Sequence, residues 1–404
     1  MPRRIKVLLT SFPSLGQTFI AQELLGLERA GFPMQIHPMV RRRAAKLQPV
    51  VQDIEAPVIY PEANPAKAFW QFISAWWKVR SKPGYPAARA ALMSKPTPLR
   101  FYLFCKAIKL AQQLDPQHDV LYAHFIRYPA TIAQFASLIS GTPWTCCAHA
   151  RDIWLSDNED LTSKLSSVRW VATCTGHGAD RLRALTARPE NVHLVYHGVD
   201  LSRFPVNSGR KHANDGSSPD RTVRIITVGR AIEKKGFDIL LDALSRLPKN
   251  LHWRLEHVGD GPLIDTLASQ AESLSITDRV DFIGFRNSED LLDLYRACDM
   301  FVLPCRVDAD GDMDGLPNVL VEAASQAMMC ISTDISAIPE FFTSGENGLL
   351  VKPENAGAIA DAIRVAITDP DMRQKLGTAA AERAKAHFSF ADNVVTLTGL
   401  FEKL

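Results

Sequence analysis

The chain alternates short apolar runs, rich in β-branched residues, with longer amphipathic patterns of helical period, and this alternation occurs twice. The first series occupies residues 5–198, and the second begins at residue 223, after a polar stretch at 207–220 without periodicity. Strands that alternate with helices form βαβ units with parallel strands. We therefore predict an α/β chain of two doubly wound domains, with ligands beyond the carboxyl ends of the strands. The predicted helices cover residues 19–30, 130–139, 178–185, 236–247, 263–274, 289–297 and 318–327.

Length agrees with two domains, since 404 residues exceed one core of ordinary size and 46% of them are apolar. Charge is unevenly distributed: residues 1–205 contain 25 Lys/Arg against 14 Asp/Glu, and residues 206–404 contain 21 against 30. The basic half favours an anionic partner, such as a phosphorylated ligand, nucleic acid or a membrane surface. The alternative is that a basic domain docks on its acidic neighbour.

The cysteines and the apolar runs bear on the compartment. Seven scattered cysteines, with Cys146 and Cys147 adjacent in an apolar run, favour reduced thiols and a cytoplasmic protein over a disulfide or zinc framework. The apolar stretch at 5–9 is too short for a signal peptide, and the window at 68–77 is too short for a membrane span. We therefore predict that none of these segments crosses a bilayer.

Residues 48–114 read as an irregular insertion rich in Trp, Phe, Lys, Arg and Pro. Its segment "FWQFISAWWKVRSK" mixes aromatic residues with cations, as peripheral membrane segments do. We predict peripheral membrane contact through residues 68–82. The alternative is a helix that covers the sheet of its own domain, with the aromatic residues in the core.

Two cations and a glycine follow the first strand of the second series. Arg230 comes directly after "VRIITVG", and Lys235 precedes Gly236 and a helical pattern. Cationic side chains, together with the free N–H groups of a helix start, suit a diphosphate. We predict that Arg230 and Lys235 bind one, and that Glu233 and Lys234 face water.

Four aspartates alternate just before a later helical pattern: Asp308, Asp310, Asp312 and Asp314. An EF-hand is excluded, because the glycine counted from Asp308 falls two places early and the twelfth residue is Val319 rather than glutamate. The pattern favours a solvated acidic lip, in which Asp308 and Asp310 matter least. A simple hard-cation site on the carboxylates is the alternative.

The stretch after the aspartates, "DGLPNVLVEAA", predicts a helix entrance with Gly315 before it and Pro317 in its first turn. Asp314 lies before this helix and Glu322 about one turn inside it, so both carboxylates can border one cavity with backbone N–H groups between them. Carboxylates accept hydrogen bonds from hydroxyls, and N–H groups donate to them. The pattern favours a polyhydroxylated ligand.

Together these motifs resemble glycosyltransferase family 4, retaining nucleotide-sugar transferases of the GT-B fold. The resemblance rests on Arg230 with Lys235, on "HVGDGPL", on the pair Asp314 and Glu322, and on "STDISAIPEFF" and "GENGLLV", in the order of the family. In the first half, "FPSLGQTFIAQEL", "YAHFIRYPA" and "CAHARDIW" resemble the exopolysaccharide branch, which builds colanic-acid-type polymers. The resemblance implies two Rossmann-like domains that face each other across a cleft.

The resemblance also implies a domain plan and a set of roles. Arg230 and Lys235 would clamp the donor diphosphate, Glu322 would hold the ribose hydroxyls, and Asp314 would approach the donor sugar, which His149 would face across the cleft. The other implied donor-binding residues are Gly16, Gly259, Gly315, Leu316, Pro317 and Asn318. The implied domains are an acceptor-binding domain at 1–205, a linker at 206–221, a nucleotide-sugar-binding domain at 222–387, and a helix at 388–404 that crosses back to the first domain.

Some positions depart from the family or stay open. Asp314 replaces the usual glutamate, which shortens the reach by one methylene; either the donor sugar differs or Asp312 shares the role. "GQTF" stands where the branch often has Ser-Glu-Thr-Phe, and Gln17 is a candidate on the acceptor side. His124 also ends a strand, so it either lines the acceptor side or is a core histidine. We expect Asp152 to orient the helix start after His149.

The function implied by the resemblance is transfer of a hexosyl group, with retention, from a UDP-, GDP- or ADP-sugar to a saccharide acceptor that is lipid-linked, in cell-surface polysaccharide synthesis. No metal, no cofactor and no nucleic acid partner is expected. The enzyme would act in the cytoplasm or at the inner face of the membrane. Two rival functions are a nucleotide-sugar 2-epimerase of the same fold and a non-catalytic, membrane-associated scaffold.

Overall fold

A computed structural model describes residues 2–13, 18–41, 49–201, 203–205 and 213–404 of the chain. The chain divides into two compact units. The first unit comprises Met1–Val195 and Val394–Leu404, and the second comprises Tyr196–Asn393. Each unit contains a six-stranded parallel sheet with helices, which confirms the predicted α/β class.

The first unit has the strand order β2-β1-β3-β4-β5-β6, so the order reverses between β1 and β3. β3 and β4 are buried along their whole length, as expected for parallel strands covered by helices on both faces. The strands are β1 (Arg4–Phe12), β2 (Met34–Arg41), β3 (Asp119–His124), β4 (Trp144–Ala148), β5 (Val171–Thr173) and β6 (Val192–Leu194). The helices are α1 (Thr18–Arg29), α2 (Pro49–Gln52), α3 (Pro65–Val79), α4 (Tyr85–Met93), α5 (Pro98–Ala111), α6 (Tyr128–Ser140), α7 (Ala150–Trp154), α8 (Asn158–Ser167) and α9 (Gly176–Ala184).

The second unit has the strand order β12-β11-β10-β7-β8-β9, with the reversal between β7 and β10. One apolar cluster fills it, and the side chains of Tyr295, Phe301 and Phe341 lie wholly inside. The strands are β7 (Val223–Val228), β8 (Trp253–Val258), β9 (Val280–Gly284), β10 (Met300–Leu303), β11 (Met329–Thr333) and β12 (Leu349–Val351). The helices are α10 (Phe237–Ser245), α11 (Ile264–Ser273), α12 (Ser288–Ala297), α13 (Asn318–Ser325), α14 (Ile338–Phe341), α15 (Ala356–Thr368), α16 (Pro370–His387) and α17 (Phe390–Glu402).

The insertion is helical, so the prediction of an irregular segment at 48–114 is wrong. The helices α2 to α5 occupy most of residues 49–114. Pro65 and Pro98 are first-turn residues rather than breakers, since proline lacks only an N–H that a helix start leaves unpaired. Asn64 and Thr97 cap these helices, and each side-chain oxygen accepts the N–H three residues later at 3.1 Å.

The helix α17 belongs partly to each unit, because its residues up to Asn393 are part of the second unit and those from Val394 are part of the first. Leu397, Leu400 and Phe401 are buried in the core of the first unit. The ring of Phe401 meets those of Tyr122 and Trp170 edge to face, with ring centroids 5.2 and 5.0 Å away. The units thus divide at 195/196 and 393/394, whereas the predicted domains end at 205 and 387. Residues 206–212 of the predicted linker lie outside the described residues.

All seven cysteines are free thiols. Within the described ranges, none of the helices combines the length and the apolar character that a membrane span requires.

Candidate functional site

The loops that follow β7 and β10 meet at the carboxyl end of the second sheet, where the strand order reverses. The N–H of Arg306, after β10, donates to the carbonyl oxygen of Lys234, after β7, at 2.9 Å. Gly236 has a φ of +67°, and a Cβ there would lie 2.0 Å from the carbonyl oxygen of Pro304. Open α/β sheets bind their ligands at such reversals. Backbone contact therefore fixes the predicted cation loop beside the predicted acidic loop.

The loop after β8 lies against the loop after β7. Gly259 has a φ of +141°, and a Cβ there would lie 2.1 Å from the carbonyl oxygen of Gly229. Only glycine permits this approach, which no side chain could share. The close packing explains the residue type at position 259, while its predicted contact with a donor stays a prediction.

The central feature of the site is an ion-paired cluster around Asp314. Its carboxylate accepts from the ammonium of Lys235 at 2.6 Å and lies 3.1 Å from that of Lys234. Burial alone would raise the pKa of Asp314, but Lys235 and Lys234 outweigh burial and hold this pKa down at about 2. Burial alone would likewise lower the pKa of Lys235, but the carboxylate of Asp314 raises it above its usual value. Both groups are therefore charged at neutral pH.

The prediction that Lys234 faces water is wrong. Its side chain is only 13% exposed, and its ammonium contacts Asp312 and Asp314, both at 3.1 Å. Glu233, in contrast, is exposed, as predicted. A turn of 3₁₀ helix at Glu233–Lys235 directs the two lysines to the same carboxylate. The adjacent lysines were a signal that sequence reasoning missed, since a tight turn can bring consecutive residues to one partner.

The predicted solvated lip also needs correction at one position. Asp312 is only 5% exposed, whereas Asp310 is exposed. Asp308 shapes the loop, because its Oδ1 accepts the N–H groups of Asp310 and Asp312 at 3.1 and 2.8 Å. Asp312 thereby reaches Lys234 beside Asp314. This contact supports the alternative in which Asp312 assists Asp314.

Glu322 is the fifth residue of α13, which begins at Asn318. Its Oε2 is 3.3 Å from the hydroxyl of Tyr295, a neighbour that the sequence did not indicate. Burial raises the pKa of Glu322 to about 7, and the tyrosine hydroxyl opposes this only in part.

Pro317 precedes the helix in an extended conformation, with φ −62° and ψ 124°, rather than within the first turn as predicted. The N–H groups at this helix start point out of its first turn, close in sequence to Gly315 and Leu316.

Arg230 directly follows Gly229 after β7 and is exposed. Its charge opposes protonation of Lys235, which places the two cations near one another. Two neighbouring cations, one neutralised by Asp314 and one open to solvent, can pair with a polyanion. The predicted clamp of Arg230 and Lys235 is therefore compatible with the observed arrangement.

His149 follows β4 in the first unit and caps α7 together with Asp152. The carboxylate of Asp152 accepts the N–H of His149 at 2.7 Å, and its other oxygen accepts the N–H of Ile126. This capping box confirms that Asp152 orients the helix start after His149. Burial raises the pKa of Asp152 to about 7 despite these N–H groups. The imidazole of His149 packs beside Phe19 and Phe125, with ring centroids 5.1 and 4.7 Å away.

His124 is wholly buried at the end of β3, which favours the core alternative over an acceptor contact. Its Nε2 lies 3.3 Å from Oε1 of Glu23, and the same oxygen accepts from the hydroxyl of Tyr122 at 2.5 Å. His124 pairs in register with Cys147 on β4, and with His149 their ligand atoms lie within 4.8 Å of one another. Such a group could hold a metal ion, so the expected absence of metal stays a prediction. Gly16 and Gln17 lie outside the described residues.

Comparison with known families and proteins adds to this geometry. Residues 210–383 match the sequence profile of the family described as Glycosyl transferases group 1. The chain is 30% identical over 213 residues to WcaL of Salmonella typhimurium, which is named a colanic acid biosynthesis glycosyltransferase. These residues cover 52% of this chain and 51% of WcaL. The amylovoran biosynthesis glycosyltransferase AmsK of Erwinia amylovora is 29% identical over 229 residues, which cover 55% of this chain and 54% of AmsK. The chain thus spans about half the length of the curated relatives it matches.

A solved structure shows the same fold over the whole chain. The crystal structure of Anabaena Alr3699/HepE in complex with UDP and glucose superposes with a TM-score of 0.72 at 18% identity, covering 100% of both chains. The sucrose-phosphate synthase of Thermosynechococcus elongatus superposes with a TM-score of 0.69, covering 99% of this chain and 98% of its own. These similarities confirm the predicted GT-B fold class. They leave the individual site residues as predictions.

Proposed function

We propose that this chain, whose residues 210–383 form a glycosyl transferases group 1 domain, is a retaining hexosyltransferase. It transfers a hexosyl group from a nucleotide diphosphate sugar to a lipid-linked saccharide acceptor in the synthesis of a cell-surface polysaccharide. Relatives named for colanic acid and amylovoran biosynthesis support this class of product. The proposal places the reaction on the cytoplasmic side of the membrane, with residues 68–82 in contact with lipid headgroups.

The observation that carries the proposal is the cluster of Lys235, Asp314 and Lys234 at the reversal point of the second sheet. A donor diphosphate brings negative charge, and Lys235 with Arg230 offers two cations to receive it. Once the phosphates pair with Lys235, the carboxylate of Asp314 is released from part of its ion pair. It can then accept hydrogen bonds from sugar hydroxyls.

Glu322 serves the ribose in this proposal. Its carboxylate lies one turn inside α13, and ribose hydroxyls can donate to it when it is ionised. The N–H groups between Gly315 and Asn318 hold other hydroxyls of the donor sugar. The ordinary pKa of a glutamate is 4.5, and burial raises that of Glu322 to about 7 because it removes solvation of the carboxylate. In the donor complex, the ribose hydroxyls would replace that solvation.

Cleavage of the donor creates charge on the leaving diphosphate, and fixed cations stabilise such charge strongly because they need no reorganisation. Arg230 and Lys235 supply them. In a retaining reaction without a side-chain base, the leaving phosphate oxygen takes the proton of the acceptor hydroxyl on the same face of the sugar, as that hydroxyl bonds to the anomeric carbon. The resemblance assigns His149 to the donor sugar.

The first experiment identifies the donor by thermal unfolding with UDP-, GDP- and ADP-sugars. The structural relative bound to UDP and glucose makes UDP-glucose the first candidate. A donor at 100 times its Kd adds about 2.7 kcal/mol to the unfolding free energy. Stabilisation by none of these donors contradicts the proposal.

The second experiment tests the residues. We expect Lys235→Ala to lower kcat roughly 100- to 1,000-fold, the usual loss when one charge-stabilising group is removed. Glu322→Ala should raise the donor KM roughly 10- to 100-fold, since a hydrogen bond to a charged group contributes about 1.5–3 kcal/mol. Lys249→Ala, on the surface of the second unit, is the matched control. An unchanged kcat in Lys235→Ala together with an unchanged donor KM in Glu322→Ala would refute the assignment. Conversion of the donor sugar without an acceptor would indicate an epimerase.

A further inference from the structure

The helix α3 has an apolar surface on two opposite sides. Ala75 and Val79 are buried against the first unit. Trp70 and Trp77 are seven residues apart, two helical turns, so they share one face, and they are 68% and 54% exposed. An ordinary surface helix carries polar residues on its outer face. The tryptophans on the outer side of α3 therefore call for a partner.

Cations flank this aromatic face. Lys78 follows Trp77 directly, and the guanidinium of Arg80 lies 3.4 Å from the centroid of the Trp77 ring. Both cations are exposed. Among the ion pairs between described residues, none involves Lys78 or Arg80. Their charge is therefore available to an external anion, while the ring beneath Arg80 keeps that charge at the aromatic surface.

The surrounding segment lacks acidic residues altogether. Residues 63–114 contain nine Lys/Arg and no Asp or Glu, although the average of 44 Asp and Glu in 404 residues would place about six in a segment of this length. Lys67, Lys95 and Arg100 pair with carboxylates of other segments, and the remaining six do not pair with a carboxylate among the described residues. The nine cations are Lys67, Lys78, Arg80, Lys82, Arg89, Lys95, Arg100, Lys106 and Lys109.

We propose that the outer face of α3, formed by Trp70, Trp77, Lys78 and Arg80, docks on the surface of an anionic lipid bilayer. The inference deepens the proposed membrane contact by naming the face and its preference for anionic lipid. Tryptophan side chains favour the boundary between headgroups and acyl chains. Lysine and arginine beside them are attracted to anionic headgroups. Exposed aromatic patches of this kind mark interaction sites.

A second copy of the chain fits this face less well. Docking two copies face to face would bring like charges together, because neither copy offers a carboxylate from residues 63–114. An anionic bilayer offers many phosphate groups and an apolar layer beneath them. It therefore matches both the cations and the tryptophans of α3.

The test is co-sedimentation of the full chain with vesicles of phosphatidylcholine alone, or of phosphatidylcholine and phosphatidylglycerol in equal parts, without any donor. We expect binding to the anionic vesicles, weakened by salt. Lys78→Gln and Arg80→Gln should each lower the partition coefficient roughly fivefold, the effect of one cation near an anionic surface. Trp70→Gln with Trp77→Gln should lower it at least as much. It should also remove quenching of tryptophan fluorescence by brominated lipid.

Matched controls come from the second unit. Lys249→Gln removes an exposed cation and Val365→Gln an exposed apolar side chain, and both should bind vesicles like the original chain. Far-UV circular dichroism checks that each variant folds. Equal binding to both kinds of vesicle, no binding, or equal loss in the control variants would overturn the proposal. So would a dimer in sedimentation that dissociates on Trp70→Gln, which would assign the face to a second copy. Because no donor is present, any of these results leaves the transferase proposal standing.

Discussion

At the scale of single residues, the two carboxylates of the candidate site differ in electrostatic surroundings. Asp314 is surrounded by Lys235 and Lys234, and its pKa of about 2 keeps it ionised. The carboxylate of Glu322 contacts the hydroxyl of Tyr295, and burial raises its pKa to about 7. The negative charge of Asp314 is balanced by the two lysines before any ligand binds. Ionisation of the buried Glu322, in contrast, costs folding free energy. This difference leads to a pH prediction.

The pKa of Glu322 is above its ordinary value, so the folded chain binds a proton that the unfolded chain releases between pH 4.5 and about 7. Its contribution to stability therefore falls as pH rises through this window. By 1.36 kcal/mol per pKa unit, the loss between pH 5 and pH 8 is about 2–3 kcal/mol. Glu322→Gln should escape this loss, so its unfolding free energy relative to the original chain should rise by that amount from pH 5 to pH 8.

Urea unfolding of both proteins at the two pH values measures the difference. Glu346→Gln changes an exposed glutamate of the same unit and serves as the control. A constant difference between Glu322→Gln and the original chain at both pH values would mean that Glu322 is ionised throughout.

At this scale, sequence reasoning selected Lys235, Asp314 and Glu322, whose roles stay predictions. It was wrong to expose Lys234 to water and to place Asp312 in a solvated lip. The rule that ligands lie beyond strand ends selects a loop. It does not say which side chains of that loop turn inward. That choice depends on the turn at Glu233–Lys235 and on the N–H groups that Asp308 gathers, both of which arise from loop conformation rather than from a periodic pattern.

At the scale of elements, backbone contact between the loops after β7 and β10 holds the site together. Gly236 and Gly311 offer a matched comparison, because their φ values are +67° and +77°. A Cβ at position 236 would lie 2.0 Å from the carbonyl oxygen of Pro304, whereas a Cβ at position 311 would meet nothing within 4 Å. The two positions thus share backbone strain and differ in steric room.

We expect Gly311→Ala to cost about 1 kcal/mol, the range of strain for a left-handed alanine. Gly236→Ala should cost about 1–3 kcal/mol more, because overpacking that forces the two loops apart typically adds this amount. It should also weaken donor binding, since Lys235 precedes this glycine. Denaturant unfolding measures both variants, and equal losses would show that Pro304 moves aside freely.

The helical insertion illustrates a limit of reading elements from sequence. Alternation predicted all the described strands except β12, and the helices α1, α6 and α9 to α13, to within a few residues. The segment 48–114, rich in Trp, Phe, Lys, Arg and Pro, showed no helical pattern with a clean polar face. The structure places Pro65 and Pro98 at helix starts, and the missing polar face is a real property of α3.

At the scale of the whole molecule, the first unit is discontinuous in sequence. Phe401, far along the chain, packs on Tyr122 and Trp170 in the core built by β1 to β5. We expect Phe401→Ala to lower the stability of this unit by about 3–5 kcal/mol, as for large core truncations. Hydrogen exchange should show faster exchange in β1 and β3 while β7 and β10 keep their protection. Val395→Ala, at a side chain 70% exposed on the same helix, is the control; equal effects would contradict the packing role.

The path of α17 also has a consequence for the order of folding during synthesis. The ribosome synthesises Tyr196–Asn393 before Val394–Leu404, and domains generally fold as they emerge. The second unit can therefore close its core while the first still lacks Leu397, Leu400 and Phe401. Until those side chains arrive, the first unit leaves an apolar surface for chaperones to protect. The unit that is translated first is in this sense the last to be finished.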